Sequence, residues 1–188
     1  MKNFLVKFLF SLPLLVVMHV SVADAFENAI QVGIGQYTIN YNEPLYRTNV
    51  KPTGLFFGWI GEINEYIAID GRFGITDSKT DATGLKLSAG GLSVMARPTL
   101  PVGESFRVYG LVGASSIVVT RSAPALAETS AAKVGFSYGA GLDYRIGEHL
   151  FVGAEWVKYI QDVNYAAAGV GPINISLTGA SANLKYQF

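Results

Sequence analysis

Residues 133–146 read KVGFSYGAGLDYRI and split cleanly at every second position. Val134, Phe136, Tyr138, Ala140, Leu142, Tyr144 and Ile146 form one series; Lys133, Gly135, Ser137, Gly139, Gly141, Asp143 and Arg145 form the other. A period of two is a strand with one apolar face. Glycine weakens a strand interior unless something needs the room. The fold must therefore place large apolar groups on one side and glycine mixed with charge on the other.

The same alternation recurs along the chain. Ile30, Val32 and Ile34 interleave with Gln31, Gly33 and Gly35; Ile67, Ile69, Phe73 and Ile75 with Ala68, Asp70, Arg72 and Gly74. Leu150, Val152, Ala154 and Trp156 alternate with Gly153 and Glu155, and Ala182, Leu184, Tyr186 and Phe188 with Asn183, Lys185 and Gln187. Leu85, Leu87 and Ala89 alternate with Lys86 and Ser88, after which the apolar phase changes at Gly90-Gly91 to Leu92, Val94 and Ala96, opposite Ser93 and Arg97. A glycine pair at a phase change suggests a β-bulge. The stretch 105–120 is strand-like without a clear face. The pattern predicts eight strands at 27–40, 53–62, 66–76, 84–97, 105–120, 132–146, 149–162 and 173–188. Connections after the second and sixth are tight, whereas those after the first, fifth and seventh are longer, such as YNEPLYRTNVKP and RSAPALAETSA.

Two environments suit such strands. A soluble calyx turns the apolar series inward; a membrane barrel turns it outward. Alternation is symmetric in the two faces, so composition has to decide. A water-facing surface built mainly of Gly, Ser and Ala would be poor in charge, and only 15% of this chain is charged. No apolar stretch after the N-terminus approaches the roughly 20 residues of a membrane helix. In lipid every backbone polar group must be paired, so a sheet can span only by closing.

The N-terminus explains how the chain would reach such a membrane. Lys2 and Lys7 precede the apolar run Phe8 to Val20, and small residues follow at Ala23 and Ala25. This is the pattern of a secretory signal peptide, residues 1–25, with cleavage expected between Ala25 and Phe26. Without Lys2, Lys7 and Asp24 the mature chain, 26–188, carries 12 basic and 13 acidic residues. No basic excess exists for nucleic-acid phosphates, and the absence of Cys excludes a disulfide framework. Divided among eight strands, the mature chain allows about 20 residues per strand and connection, whereas sixteen strands would leave none for turns. The expected fold is all-β, an eight-stranded antiparallel transmembrane up-and-down β-barrel. Such a barrel is only wide enough for its own side chains. Asp70, Arg72, Lys86, Asp143, Arg145, Glu155 and Lys185 then form an inward charge network, with Glu155 expected to pair with Arg145 or Lys185.

GLDYRIGEHLFVGAEW (141–156) resembles the penultimate hairpin of small OmpA-like, porin-family outer-membrane barrels, and GWIGEINEYIAIDGRFG (58–74) their second hairpin. The terminal LTGASANLKYQF resembles the β-signal read by the outer-membrane assembly machinery, with Leu184, Tyr186 and Phe188 as its alternating residues. The resemblance implies a Gram-negative outer-membrane location and both termini in the periplasm; OmpA itself carries a periplasmic domain after its barrel, and none is expected here after Phe188. Its implied partners are the lipid bilayer, lipopolysaccharide and the assembly machinery; an adhesin would add host surface ligands. Some small barrels are lipid-modifying enzymes with catalytic His and Ser. Here the mature chain has one histidine, His149, in an expected turn, so neither catalysis nor metal binding nor a cofactor is expected. Three roles follow: a non-enzymatic surface protein for envelope integrity, an adhesin or serum-resistance protein acting through its loops, and a narrow solute channel.

Overall fold

The computed structural model describes residues 27–44, 46–123, 126–167 and 170–188, with side chains described except at 126–127, 162–167 and 170–172. Ala23, Ala25 and Phe26, the expected processing site, lie outside the described residues. The strands are β1 (Asn28–Glu43), β2 (Tyr46–Val50), β3 (Thr53–Asn64), β4 (Ile67–Thr76), β5 (Lys79–Thr80), β6 (Lys86–Val102), β7 (Phe106–Ala123), β8 (Leu126–Arg145), β9 (Leu150–Ala167) and β10 (Val170–Gln187). Eight of them pair in the order β1, β3, β4, β6, β7, β8, β9, β10, and β10 pairs with β1 to close the barrel. The two short ones lie outside the ring: β2 folds back onto β1, and β5 pairs with β6.

The pairings set the shape. From Thr76 the bonded neighbours run through Gly54, Gly35, Ser181, Glu155, Gly141, Tyr109 and Thr99. The Thr99 N–H then meets the Tyr66 carbonyl at 2.7 Å, beside the start of β4. One circuit thus descends ten residues, from Thr76 to Tyr66. Eight strands with that stagger tilt by about 35–45° and leave an interior that side chains fill.

The start of β1 and Phe188 share one end with the tight turns 65–66, 103–105 and 146–149. Gly103, at φ 65°, supplies the left-handed residue in one of them. At the other end, the loop end, strands run further than the periodicity indicates. RSAPALAETSA and NYAAAGVGP, read from sequence as connections, belong largely to the β7–β8 and β9–β10 hairpins.

The two faces exchange character partway up the wall. On the lower part of β1, Ile30, Val32 and Ile34 point out and are exposed, while Gln31 is buried. Above Gly35 the order reverses: Gln36, Thr38 and Asn40 point out, and Tyr37, Ile39 and Tyr41 are buried inside. On β10, Leu184 and Tyr186 face out opposite buried Lys185; higher up, Thr178 faces out and Leu177 in. Apolar residues outside are stable only against lipid. Where water takes over, they are stable only inside. The reversal therefore marks one edge of an apolar band of the height, about 25 Å, typical of such barrels. Above it the barrel has the interior of a soluble calyx, with Tyr37, Ile39, Leu87, Ile117, Val119 and Leu177 in one buried cluster.

This reversal corrects the reading of β6. Its pairing with β7 is unbroken from Lys86 to Ala96, so no bulge lies at Gly90-Gly91. Leu87 and Ala89 share the inward phase of Ser93 and Arg97, and Lys86 points out and is exposed. The environment changed rather than the strand's phase. Lys86 is therefore no member of the lumen network.

Candidate functional site

Below the reversal the lumen is crossed by a compact ionic cluster. Arg72 on β4 grips Asp70 through Nε–Oδ1 and Nη2–Oδ2 contacts of 2.7 Å each. The same guanidinium spans the barrel to Glu155 on β9, by Nη2–Oε2 at 2.9 Å and by a second contact between Nη1 and Oε1. Arg97 on β6 joins Asp70 (3.4 Å) to Asp143 on β8 (2.6 Å), and Lys185 on β10 donates to the same Asp143 oxygen at 2.5 Å. Gln31 on β1 donates to Asp70 at 3.2 Å, and the Tyr109 hydroxyl on β7 to Glu155 at 3.0 Å. The side chains of the six charged members are at most 3% exposed. Three cations and three carboxylates balance, which is the condition for burying charge. Bidentate guanidinium–carboxylate geometry adds direction to the attraction.

Aromatic rings seal the gaps around the ions. The Arg97 guanidinium carbon lies 3.6 Å from the Tyr109 ring centre, and that of Arg72 5.0 Å from Phe56. The rings need the inward glycines. Phe56 lies on Gly33 and Tyr109 on Gly141; a Cβ on Gly54 or Gly179 would come within 2.7 Å of the Tyr37 ring. Between the ions and the apolar layer runs a chain of hydroxyls, Ser93 to Ser115 at 2.7 Å and Ser115 to Ser137 at 2.6 Å, ending where Ser137 donates to the Tyr159 carbonyl.

Of the residues expected in this network, the structure brings together Asp70, Arg72, Asp143, Glu155 and Lys185. Arg145 has the inward phase but sits at the terminal mouth, exposed, with its guanidinium 5.2 Å from the Phe151 ring. Water reaches it there, so it needs no buried partner. Glu155 pairs with neither Arg145 nor Lys185 but with Arg72. Arg97, Gln31 and Tyr109 complete the cluster without having been counted in it. Arg97 was visible in the alternation of β6; Tyr109 was hidden in a stretch of ambiguous face.

Below the cluster, a cavity of about 550 Å³ opens at the terminal end, lined by residues including Glu27, Glu62, Glu104, Arg107 and Arg145. Above it, the apolar layer leaves a void of only about 30 Å³ beside Tyr37, Phe56 and Leu177. His149 is exposed in the β8–β9 turn, 5.9 Å from the Tyr186 ring. Leu184, Tyr186 and Phe188 all face outward near the terminal edge of the apolar band, and Asn28 exchanges backbone bonds with Phe188.

A closed antiparallel barrel, apolar outside and ionic within, is a transmembrane barrel. The outer membrane protein beta-barrel domain family matches residues 10–188, and the chain belongs to it. No curated protein matches the sequence significantly. Among solved structures, Neisserial surface protein A (NspA) is similar at 15% identity over 88% of this chain and 100% of that one, with a TM-score of 0.65. OprG from Pseudomonas aeruginosa is similar at 12% identity over 87% and 96%, TM-score 0.57. Ail, the attachment invasion locus protein of Yersinia pestis, is similar at 20% identity over 85% and 99%, TM-score 0.53.

Proposed function

We propose that the protein is a non-enzymatic surface barrel of the Gram-negative outer membrane, without an open pore, that supports envelope integrity, with its loop end outward and both termini in the periplasm. The observation that carries this reading is the lumen, closed first by a charge-balanced cluster and again by an apolar layer. A solute would have to break several buried ion pairs and then cross a hydrocarbon-like packing. In this reading residues 1–25 are removed after Ala25, and Leu184, Tyr186 and Phe188 present the assembly signal; lipid and lipopolysaccharide surround the band. A deletion strain tests the role: it should become sensitive to detergent and recover when the wild-type gene is returned. Unchanged sensitivity would defeat the structural role. N-terminal sequencing of the outer-membrane product should begin at Phe26.

A second reading, interaction with a host surface, is favoured by the strands that project beyond the apolar band as hairpins. Tyr46 on β2 bonds to Asp81 and to Thr83 Oγ1 (2.8 Å), tying the two loops together. Ail, of the same fold, has been crystallised with the heparin analogue sucrose octasulfate. Binding of the purified barrel to host cells, lost on exchanging these hairpins for short turns, would support it.

A further inference from the structure

The mouth at the terminal end carries charges that the ionic cluster does not use. Its cavity, about 550 Å³, is in the size range of small-molecule sites. Four carboxylates line it, Glu27, Glu62, Glu65 and Glu104, against two guanidiniums, Arg107 and Arg145. The opposite charges stand on different arcs of the wall. Arg107 and Arg145 come from the neighbouring strands β7 and β8, whereas Glu27 precedes β1 and Glu62 lies on β3, its neighbour. Glu65 and Glu104 sit in the turns that follow β3 and β6.

Neither arc is saturated. Gln187 Nε2 donates to Glu62 Oε1 at 3.1 Å and also to Glu27 Oε2, so two carboxylates share one amide nitrogen. Like charges that close favour a cation beside them. Arg107 uses Nη1 alone, toward Glu62 Oε1 at 3.2 Å and Gln187 Oε1 at 3.5 Å. Arg145 forms no ion pair among the described residues. Both guanidinium carbons lie over the buried Phe151 ring of β9, 4.8 and 5.2 Å from its centre. One ring thus holds two guanidiniums together with N–H groups to spare, which is what a planar carboxylate requires.

We propose that this mouth binds a small amino acid that carries a second ammonium in its side chain. The α-carboxylate lies on Arg145 and the unused donors of Arg107. The α-ammonium lies between Glu27 and Glu62, which the Arg107–Glu62 contact brings within reach of the same α-carbon. The side-chain ammonium lies toward Glu65 and Glu104. Simpler ligands leave a charge unmet. A metal ion or a diamine would satisfy the carboxylates and leave Arg145 without a counter-ion. A simple anion would add to a mouth that already has more carboxylates than guanidiniums. The ligand goes no further, because Asp143, Lys185 and Arg97 close the lumen above it. The site exists whichever way the barrel faces; that it meets the periplasm rests on the orientation proposed above.

NMR titration of the full barrel in phosphatidylcholine nanodiscs tests this with lysine as the probe, at low salt to limit screening and about pH 6 to keep both amines charged. Saturable shifts are expected at the Arg145 and Arg107 Nε–H signals and the Gln187 side-chain amide. Lysine amide lacks the carboxylate but carries one more net positive charge, and it should bind at least fivefold more weakly. A merely acidic mouth would reverse that order. Nα-acetyl-lysine, without the α-ammonium, and Nε-acetyl-lysine, without the second one, should each lose at least fivefold as well. Arg145→Gln should abolish the preference for lysine over its amide. The ligand comparisons use the wild-type protein, so they decide the matter even if that variant does not fold. Absence of saturable lysine binding would overturn the proposal, as would any of the three analogues binding as tightly as lysine. So would a folded Arg145→Gln protein that keeps the preference.

Discussion

Arg72 and Glu155 meet across the full width of the barrel, on strands four places apart in either direction around the ring. The pair holds opposite walls at a set distance, and through Asp70, Arg97, Asp143 and Lys185 the brace reaches β6, β8 and β10 as well. A barrel braced in this way resists ovalisation, the motion that would open a path through it.

Glu155→Gln removes one end of the brace and leaves a buried cation with Asp70 alone. Breaking a buried pair costs about 3–5 kcal/mol, and the remaining carboxylate places this one at the lower end. Urea titration of protein folded into liposomes checks it. Arg72→Met combined with Glu155→Leu should cost less than the two single changes together, because the partners act as a unit. An unchanged midpoint for Glu155→Gln would show that the cluster contributes nothing to stability.

The exchange of faces predicts opposite sensitivities below and above the level where it occurs. Leu142, outward within the band, should tolerate arginine poorly, at about 2–4 kcal/mol near the bilayer midplane. Thr38, outward above the reversal, should accept arginine within roughly 0.5 kcal/mol. Leu87, inward above the reversal and fully buried, should lose about 2–5 kcal/mol on truncation to alanine. The same liposome titration measures all three. A harmless Leu87→Ala would show that the loop end is not a packed core.

Conductance should be small and intermittent. Planar-bilayer recording of the purified protein should show no steady ohmic steps, and Arg72→Ala should raise the frequency of brief openings. Large, stable steps from the wild type would make the solute-channel reading the correct one.

The tie between the two loops should respond to acid. Asp81 accepts from the Thr83 N–H at 2.8 Å, the Leu85 N–H at 3.0 Å and the Tyr46 hydroxyl. Slight burial pushes its carboxyl up, but the hydrogen bonds from Tyr46 and Thr83 outweigh this and hold it well below the usual carboxylate range. A lowered folded value means that the contribution is complete above the unfolded value, about 3.9, and is lost as pH falls through the folded one. The Thr83 and Leu85 amide NMR shifts should stay constant down to about pH 4 and move only below it. Asp81→Ala should show the released shifts at neutral pH. Movement already at pH 6 would rule out this carboxylate as the group responsible.

Much of this was legible in the residues. Period-two alternation specifies strands, chain length specifies their number, and scarcity of charge places the apolar face against lipid. Asp70, Arg72, Asp143, Glu155 and Lys185 stand on the inward phase of their strands, which alternation alone reveals. Lys86 and the Leu87–Ala89 step show where this reading stops. Periodicity reports which residues share a face; it does not report what medium lies on either side, and here the medium changes along one uninterrupted strand. Partners were beyond reach for a related reason. Glu155 lies near Arg145 in sequence and near Lys185 in the neighbouring strand, yet it binds Arg72, because a circuit that descends ten residues brings that guanidinium level with it from the opposite wall. Strand pattern is a local property, written in successive residues. Which ions meet depends on closure and stagger, and those exist only once all eight strands are paired.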